Sequence, residues 1–274
     1  MSDRSSAIDE SIFDLLSLEG EVALVTGGAG HLGTAISAAL AELGANVVIA
    51  SRDVQKCKRR AEEISNSSAV ESELIGVKLD VTENKSVNKC RKKINKLVGK
   101  ISILVNNAWS GEKNTWESID IEDWKKDVDI SLNSNFRVTD LFFDDLKEKE
   151  GVILNIASMY GHVAPDYRLY EGDKHANPPS YGAAKAGVIQ FTQYLASFLS
   201  KYNIRANSIS PGPFPFPELE ERDPAFVDRL RSKNPLGRIG EPSEMKGAVA
   251  FLCSDASSYV TGENLCVDGG WTTW

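Results

Sequence analysis

Short β-branched, apolar runs alternate with longer helical patterns along almost the whole chain. That alternation limits the possible folds more than any other feature. Residues 22–26, 46–50, 74–79, 101–105, 151–157, 204–209 and 265–267 read as strands. Helical patterns at 31–43, 54–64, 85–98, 121–146 and 180–200 lie between them, with further ones at 224–232 and 242–252. A strand that feeds a helix and then another strand leads to a parallel sheet covered on both faces. Right-handed crossovers wind that sheet in both directions from its centre. No repeat, low-complexity linker or composition break divides residues 18–274, which read as a single domain. Residues 1–17 read as a polar, acidic extension around a small apolar patch, Ile12, Phe13, Leu15 and Leu16. It is expected to lie on the domain surface or to stay mobile.

The turn after the first strand narrows the reading. Thr26-Gly27-Gly28-Ala29-Gly30-His31-Leu32-Gly33 closes an apolar strand and opens a helix of small residues. Glycines permit a tight turn and close backbone approach, and a helix N-terminus offers free N–H groups to an anion. In a Rossmann-type α/β sheet this is where a dinucleotide's pyrophosphate sits, so Gly27, Gly30, His31 and Leu32 are its expected neighbours. His31 either caps the helix or lies near the pyrophosphate. An acidic residue at the end of the second strand would hold the ribose 2′-hydroxyl of NAD(H). Ser51-Arg52 stands there instead, and a hydroxyl beside a guanidinium suits a 2′-phosphate. The expected cofactor is therefore NADP(H) rather than NAD(H). Asp53 tempers this, since it either folds back toward the ribose or caps the next helix. Asp80 and Val81, after the third strand, are placed to meet the adenine.

Composition sets limits on partners. A net charge of −8 argues against a nucleic-acid-binding face, though not against a local basic pocket. Cys57, Cys90, Cys253 and Cys266 lack metal-type spacing. Reduced thiols, a cytoplasmic location and no metal are expected. No run has the length and apolarity of a membrane span, and the N-terminus lacks the basic start of a signal peptide.

Tyr181 and Lys185 carry the chemistry. Their four-residue step on a helix places both on one face. A phenol, with a pKa near 10, is a poor proton shuttle at neutral pH. A neighbouring ammonium is expected to favour phenolate, lower that pKa and make a general acid/base.

Together these residues resemble the classical short-chain dehydrogenase/reductase family, from about Leu18 to the C-terminus. The resemblance rests on motifs in order: the glycine turn, Asp80, Asn106-Asn107-Ala108, Ser158, Tyr181-x-x-x-Lys185, Pro211-Gly212 and Val267-Asp268-Gly269-Gly270-Trp271. It implies hydride transfer between a nicotinamide and an alcohol/carbonyl pair. Tyr181 would then donate and accept the proton. Lys185 would tune Tyr181 and hold the nicotinamide ribose, and Ser158 would hydrogen-bond the substrate oxygen. Asn107, Pro211 and Gly212 would border the cofactor. A homo-oligomer, tetramer or dimer, is implied as well.

Four departures from the family pattern stand out. His31 occupies the position of the middle glycine. Trp109 replaces a glycine after Asn-Asn-Ala, and either walls the substrate pocket or packs beneath the loop. A gap-free alignment places Ser131 where the family has an asparagine that helps hold a relay water, with Asn135 one turn on. A two-residue slip would use Asn133 instead. Finally, Ser158 and Tyr181 stand 23 positions apart, longer than the family spacing. The extra segment lies within 163–179 and carries Asp166, Tyr167, Arg168, Tyr170, Lys174, His175 and Asn177. These side chains suit a polyhydroxylated substrate, and Arg168, Lys174 and His175 could pair with a phosphate or carboxylate. A solvated surface loop is the other reading. The segment and the 271–274 ending resemble the branch of gluconate 5-dehydrogenase-like and surface-sugar biosynthetic enzymes. An acyl or lipid carbonyl reductase, with Phe214, Phe216 and Trp109 along an apolar channel, and a non-catalytic nucleotide sensor stay open as alternatives. The irregular stretch 211–217 reads equally as the base of a mobile lid or as a rigid loop.

Overall fold

A computed structural model describes residues 11–67, 71–111, 114–170 and 176–274. Residues 1–10, most of the predicted extension, lie outside that set. Ser11 caps a five-residue helix, α1 (Ile12–Leu16), by accepting a hydrogen bond from the Phe13 amide. Leu18 is the first core residue, and its amide binds the Leu43 carbonyl.

The rest alternates as expected: β1 (Val22–Thr26), α2 (His31–Glu42), β2 (Asn46–Ser51), α3 (Val54–Ser67), β3 (Leu74–Lys78), α4 (Asn84–Leu97) and β4 (Ile103–Asn106). Then come α5 (Ile121–Val128), α6 (Ser134–Glu148), β5 (Val152–Ile156), α7 (Pro179–Leu199), β6 (Arg205–Pro211), α8 (Pro217–Arg222), α9 (Pro224–Lys233), α10 (Met245–Cys253) and β7 (Asn264–Val267). The seven strands are all parallel, in the order β3-β2-β1-β4-β5-β6-β7. Chain direction along the sheet reverses between β1 and β4, and the crevice outside their C-terminal ends is where such sheets bind ligands.

β1 is buried along its whole length, which explains its unbroken apolar run. One face of the sheet packs against α2 and α10 through Ile36, Leu40, Met245, Val249 and Leu252. The other packs against α4, α6 and α7 through Val87, Ile94, Phe142, Leu146 and Leu195. A third, smaller cluster joins Met159, Tyr160 and Leu169 to Phe226, Leu230 and Trp271. It fastens the segment before α7 to α9.

Two expectations are corrected. The single helix predicted over 121–146 is interrupted by a turn of π-helix, Asp129–Asn133. Helical spacing reads the same on either side of such a turn, so periodicity does not reveal it. The helix predicted over 242–252 starts as a 3-10 turn, Pro242–Glu244, and becomes α-helical at Met245. Among the described residues, no helix is long and apolar enough to cross a membrane.

Candidate active site and dinucleotide cleft

A cleft of about 810 Å³ opens along the C-terminal ends of the central strands. Gly27, Gly30, His31, Leu32, Ser51, Arg52, Asp80, Val81, Asn107, Ser158, Tyr181, Lys185, Pro211 and Gly212 all line it. As many as 51 positions, from Asn107 to Ser158, separate neighbours of this set in sequence, yet parallel strands bring their C-terminal ends to one edge.

The glycine turn is built for close approach. Gly27 has φ +64°, in the region that favours glycine. A Cβ on Gly33 would come within 2.2 Å of the Gly27 carbonyl oxygen. No side chain caps the N-terminus of α2, so its first N–H groups face the cleft end of the turn. Asn107 does more than border the cleft. Its Nδ2 donates to the carbonyls of Thr26 (3.0 Å) and Gly27 (3.1 Å). The Thr26 hydroxyl accepts from the amides of Asn107 (2.9 Å) and Ala108 (3.1 Å). Asn107 thereby stitches the β4 loop to the turn.

At the other end, Ser51 Oγ donates to the Asp53 carbonyl at 3.2 Å. Asp53 Oδ1 accepts from the Lys56 amide at 2.9 Å, so Asp53 caps α3, resolving the two readings open for it. Arg52 lines the cleft, and so does Lys56, a second cation that the sequence reading passed over. Burial works to raise the Asp80 carboxyl, but hydrogen bonds from Thr82 and the charges of Arg52 and Arg137 outweigh it and hold the group below its ordinary value. Asp80 Oδ1 accepts from the Thr82 amide (3.0 Å) and hydroxyl (2.7 Å), which shapes the wall beside Val81.

Pro211-Gly212 meets the C-terminal motif. The Gly212 amide donates to the Val267 carbonyl at 2.9 Å, and a Cβ on Gly212 would lie 2.6 Å from the Asp268 Cα. The Asp268 carboxylate in turn binds the amides of Gly270 (2.9 Å) and Thr272 (3.0 Å). The Val-Asp-Gly-Gly-Trp ending is therefore the buttress of the Pro-Gly wall.

Ser158, Tyr181 and Lys185 meet in the middle of the cleft. Ser158 caps the 3-10 turn Met159–Gly161 and also hydrogen-bonds the Tyr181 phenol. Lys185 is buried, and its Nζ donates to the Ile156 carbonyl at 2.7 Å, anchoring α7 to the end of β5. Nζ lies 5.7 Å from the centre of the Tyr181 ring. The expected lowering of the phenol is not what the structure shows. Burial dominates and raises the Tyr181 phenol above its ordinary value, with the Ser158 hydrogen bond opposing. Burial also lowers the Lys185 ammonium, to about 8. Desolvation disfavours both charged forms.

Trp109 lines the cleft and meets Tyr181 edge-on, with ring centroids 5.3 Å apart at 70°. It thus walls the pocket. Ser131 lies in the π-helical turn and is buried, but it does not line the cleft; its neighbour Ile130 does. The Ser131 hydroxyl and the Asn135 amide nitrogen are both buried without a hydrogen-bond partner. Asn133 faces outward and donates to Asp129 Oδ1 at 3.2 Å.

The extra segment is no solvated loop over its described part. Leu169 is buried, Tyr160 and Tyr170 share a 2.5 Å hydroxyl contact, and Arg229 of α9 donates to the Leu169 carbonyl at 2.6 Å. Arg168 makes two hydrogen bonds to Asp166, at 2.8 and 2.7 Å, which commits its guanidinium within the segment. Lys174 and His175 lie outside the described residues. A second cavity of about 430 Å³ is walled by Tyr160, His162, Tyr167 and Asn177, and Tyr181 borders both cavities.

A family model described as "Enoyl-(Acyl carrier protein) reductase" matches residues 27–272. The chain is 33% identical over 256 residues to the 3-oxoacyl-[acyl-carrier-protein] reductase of Aquifex aeolicus, covering 93% of this chain and 98% of that protein. It is 33% identical over 276 residues to the sorbose reductase of Candida albicans, covering 98% of this chain and 93% of the other. A gluconate 5-dehydrogenase from Burkholderia cenocepacia, solved in complex with NADP and tartrate, superposes with a TM-score of 0.84 at 30% identity, covering 96% of this chain and all (100%) of that one.

Proposed function

Because the chain belongs to the short-chain dehydrogenase/reductase family, we propose that it is an NADP(H)-dependent oxidoreductase acting on a polyhydroxylated, sugar- or sugar-acid-like alcohol/carbonyl pair. The observation that carries this reading is the convergence of Ser158, Tyr181 and Lys185 in one cleft with the glycine turn and with Arg52 and Lys56.

The residues present fit such a cofactor. The glycine cradle and uncapped α2 suit a diphosphate, and Arg52 with Lys56 suits a 2′-phosphate. When bound, the nicotinamide supplies the hydride. Ser158 and Tyr181 hydrogen-bond the substrate oxygen. The Tyr181 phenol gives its proton to that oxygen during reduction and takes it back during oxidation. Lys185, held by the Ile156 carbonyl, presents its ammonium beneath the phenol and stabilises the phenolate as it forms. Ser131 and Asn135, with their unmatched polar atoms, are assigned a buried water behind α7. The π-helical turn that holds Ser131 packs on α7, where a Cβ on Gly187 would lie 2.9 Å from Leu132.

The second cavity supports the sugar-like reading, since Tyr160 and Tyr167 stand on its wall beside Tyr181 and a tyrosine hydroxyl can both donate and accept. The apolar wall of Trp109, Phe214 and Phe216, together with the Aquifex relative, favours an acyl carbonyl as the second reading. Turnover linked to NADPH and NADH, measured across sugars, sugar acids and 3-oxoacyl thioesters, separates the two. We expect NADPH-linked turnover on a polyhydroxylated compound, with Arg52→Ala and Lys56→Ala each weakening NADPH binding about tenfold while leaving NADH binding unchanged. Equal weakening of both cofactors would contradict the 2′-phosphate assignment, and turnover confined to thioesters would contradict the substrate class.

A further inference from the structure

His31 stands at the first position of α2, and it is held from outside its own element. Phe216, at the start of the segment that leads into α8, stacks on its imidazole with centroids 4.5 Å apart. The backbone of Pro215 and Phe214 lies beside the ring and works to raise the imidazole, against the larger effect of burial. Nε2, by contrast, is buried and has no hydrogen-bond partner. Phe214–Phe216 together with α8 and α9 is called the lid below; an imidazole stacked on this segment, and carrying an unmatched buried nitrogen, has a place for one more polar group. His31, Phe214, Phe216 and the glycine turn all line the same cleft.

The reach of Phe214–Phe216 across the cleft is fixed at its base. The Gly240 amide donates to the Pro213 carbonyl at 3.0 Å, and the Phe214 ring fills the space where a Cβ on Gly240 would stand. His31 is the contact farther along, where the segment passes over the glycine turn and continues into α8 and α9.

We propose that His31 couples occupancy of the glycine turn to closure of the lid over the cleft: the imidazole takes up a proton when a dinucleotide diphosphate binds, and as imidazolium it ties that diphosphate to the Phe214–Phe216 carbonyls. This rests on the dinucleotide reading given above. In the free protein burial keeps the imidazole below its ordinary value, which favours the neutral ring. The charged side chain facing the ring is Glu218 of the lid, whose carboxylate favours the imidazolium; the glycine turn contributes no charged side chain. A diphosphate beside the ring adds two further negative charges, which raise the imidazole and draw in the proton. The cationic ring then donates from both nitrogens, and its bond to a lid carbonyl becomes charge-assisted. The cofactor and the substrate lid are thus linked through one residue that touches both.

The test is NADPH affinity as a function of pH, in the wild type and in His31→Gln, with lid closure followed as tryptic cleavage after Arg222. Glutamine keeps a donor and an acceptor but does not titrate. Wild-type affinity should fall by up to about tenfold per pH unit between the free and bound imidazole values. The variant retains the titration of the cofactor's own 2′-phosphate, so the difference between the two profiles reports His31 alone. NADPH should slow cleavage after Arg222 in the wild type and much less in His31→Gln. Parallel pH profiles, or equal protection of the lid in both proteins, would overturn the proposal. No saturable NADPH binding by the wild type would overturn the dinucleotide reading itself, and would show in the wild type alone.

Discussion

Lys185 is the residue on which the energetics and the chemistry meet. Its ammonium is buried, and burial lowers it from 10.5 to about 8. The unfolded chain binds that proton up to higher pH, so between these two values the unfolded state carries more protons than the folded one. Stability therefore rises with pH across this window, and below about pH 8 the buried charge costs its full amount, ~3 kcal/mol at most. Lys185→Met removes the titration. We expect it to abolish turnover, and the wild type to gain about 2 kcal/mol relative to the variant between roughly pH 8 and 10. Urea denaturation at the two pH values measures this, and parallel stabilities would contradict it. The pair Tyr181 and Lys185 was legible from its spacing alone, but its electrostatics was not. Spacing places two side chains on one face; it does not say that Ile156 offers the ammonium a carbonyl or that desolvation raises the phenol. Lys56 went unread for a related reason. On a charged helix such as α3, only the fold shows which cation turns toward the cleft.

At the scale of elements, the strands were readable because a parallel sheet buried on both faces leaves long apolar runs. The π-helical turn was not, because one extra residue leaves local periodicity almost intact. In the segment before α7, Arg168 finds its partner, Asp166, two residues away, a pairing that the spacing of charges in the sequence did not single out. The segment's structural duty is to brace α9. Leu169 is the buried side chain of that brace, in a cluster with Phe226 and Leu230. Leu169→Ala should weaken the docking of the lid by about 2–3 kcal/mol. Proteolysis within 217–233 should then accelerate and KM rise, while the global thermal midpoint moves little, since the main sheet cores do not contain Leu169. A fall in the thermal midpoint with unchanged lid cleavage would show that the segment supports the domain and not the lid.

For the whole molecule, topology explains how residues from Gly27 to Gly212 share one cleft. The sheet order reverses at β1 and β4, and every strand delivers its C-terminal end to the same edge. The C-terminal motif closes the arrangement by supporting Gly212 through Asp268. That much follows from strand–helix alternation together with the order of the motifs. What alternation leaves unwritten is the lid, because α8 and α9 follow a proline-rich stretch and take their positions from α7's preceding segment and from His31. The central claim is that Tyr181 transfers the proton in a cleft that holds cofactor by other residues. The most direct measurement is kcat for Tyr181→Phe, with NADPH affinity determined on the same preparation. The account predicts a loss of kcat of about 10²–10⁴-fold, with NADPH affinity within about twofold of the wild type. A variant that turns over at the wild-type rate would contradict it.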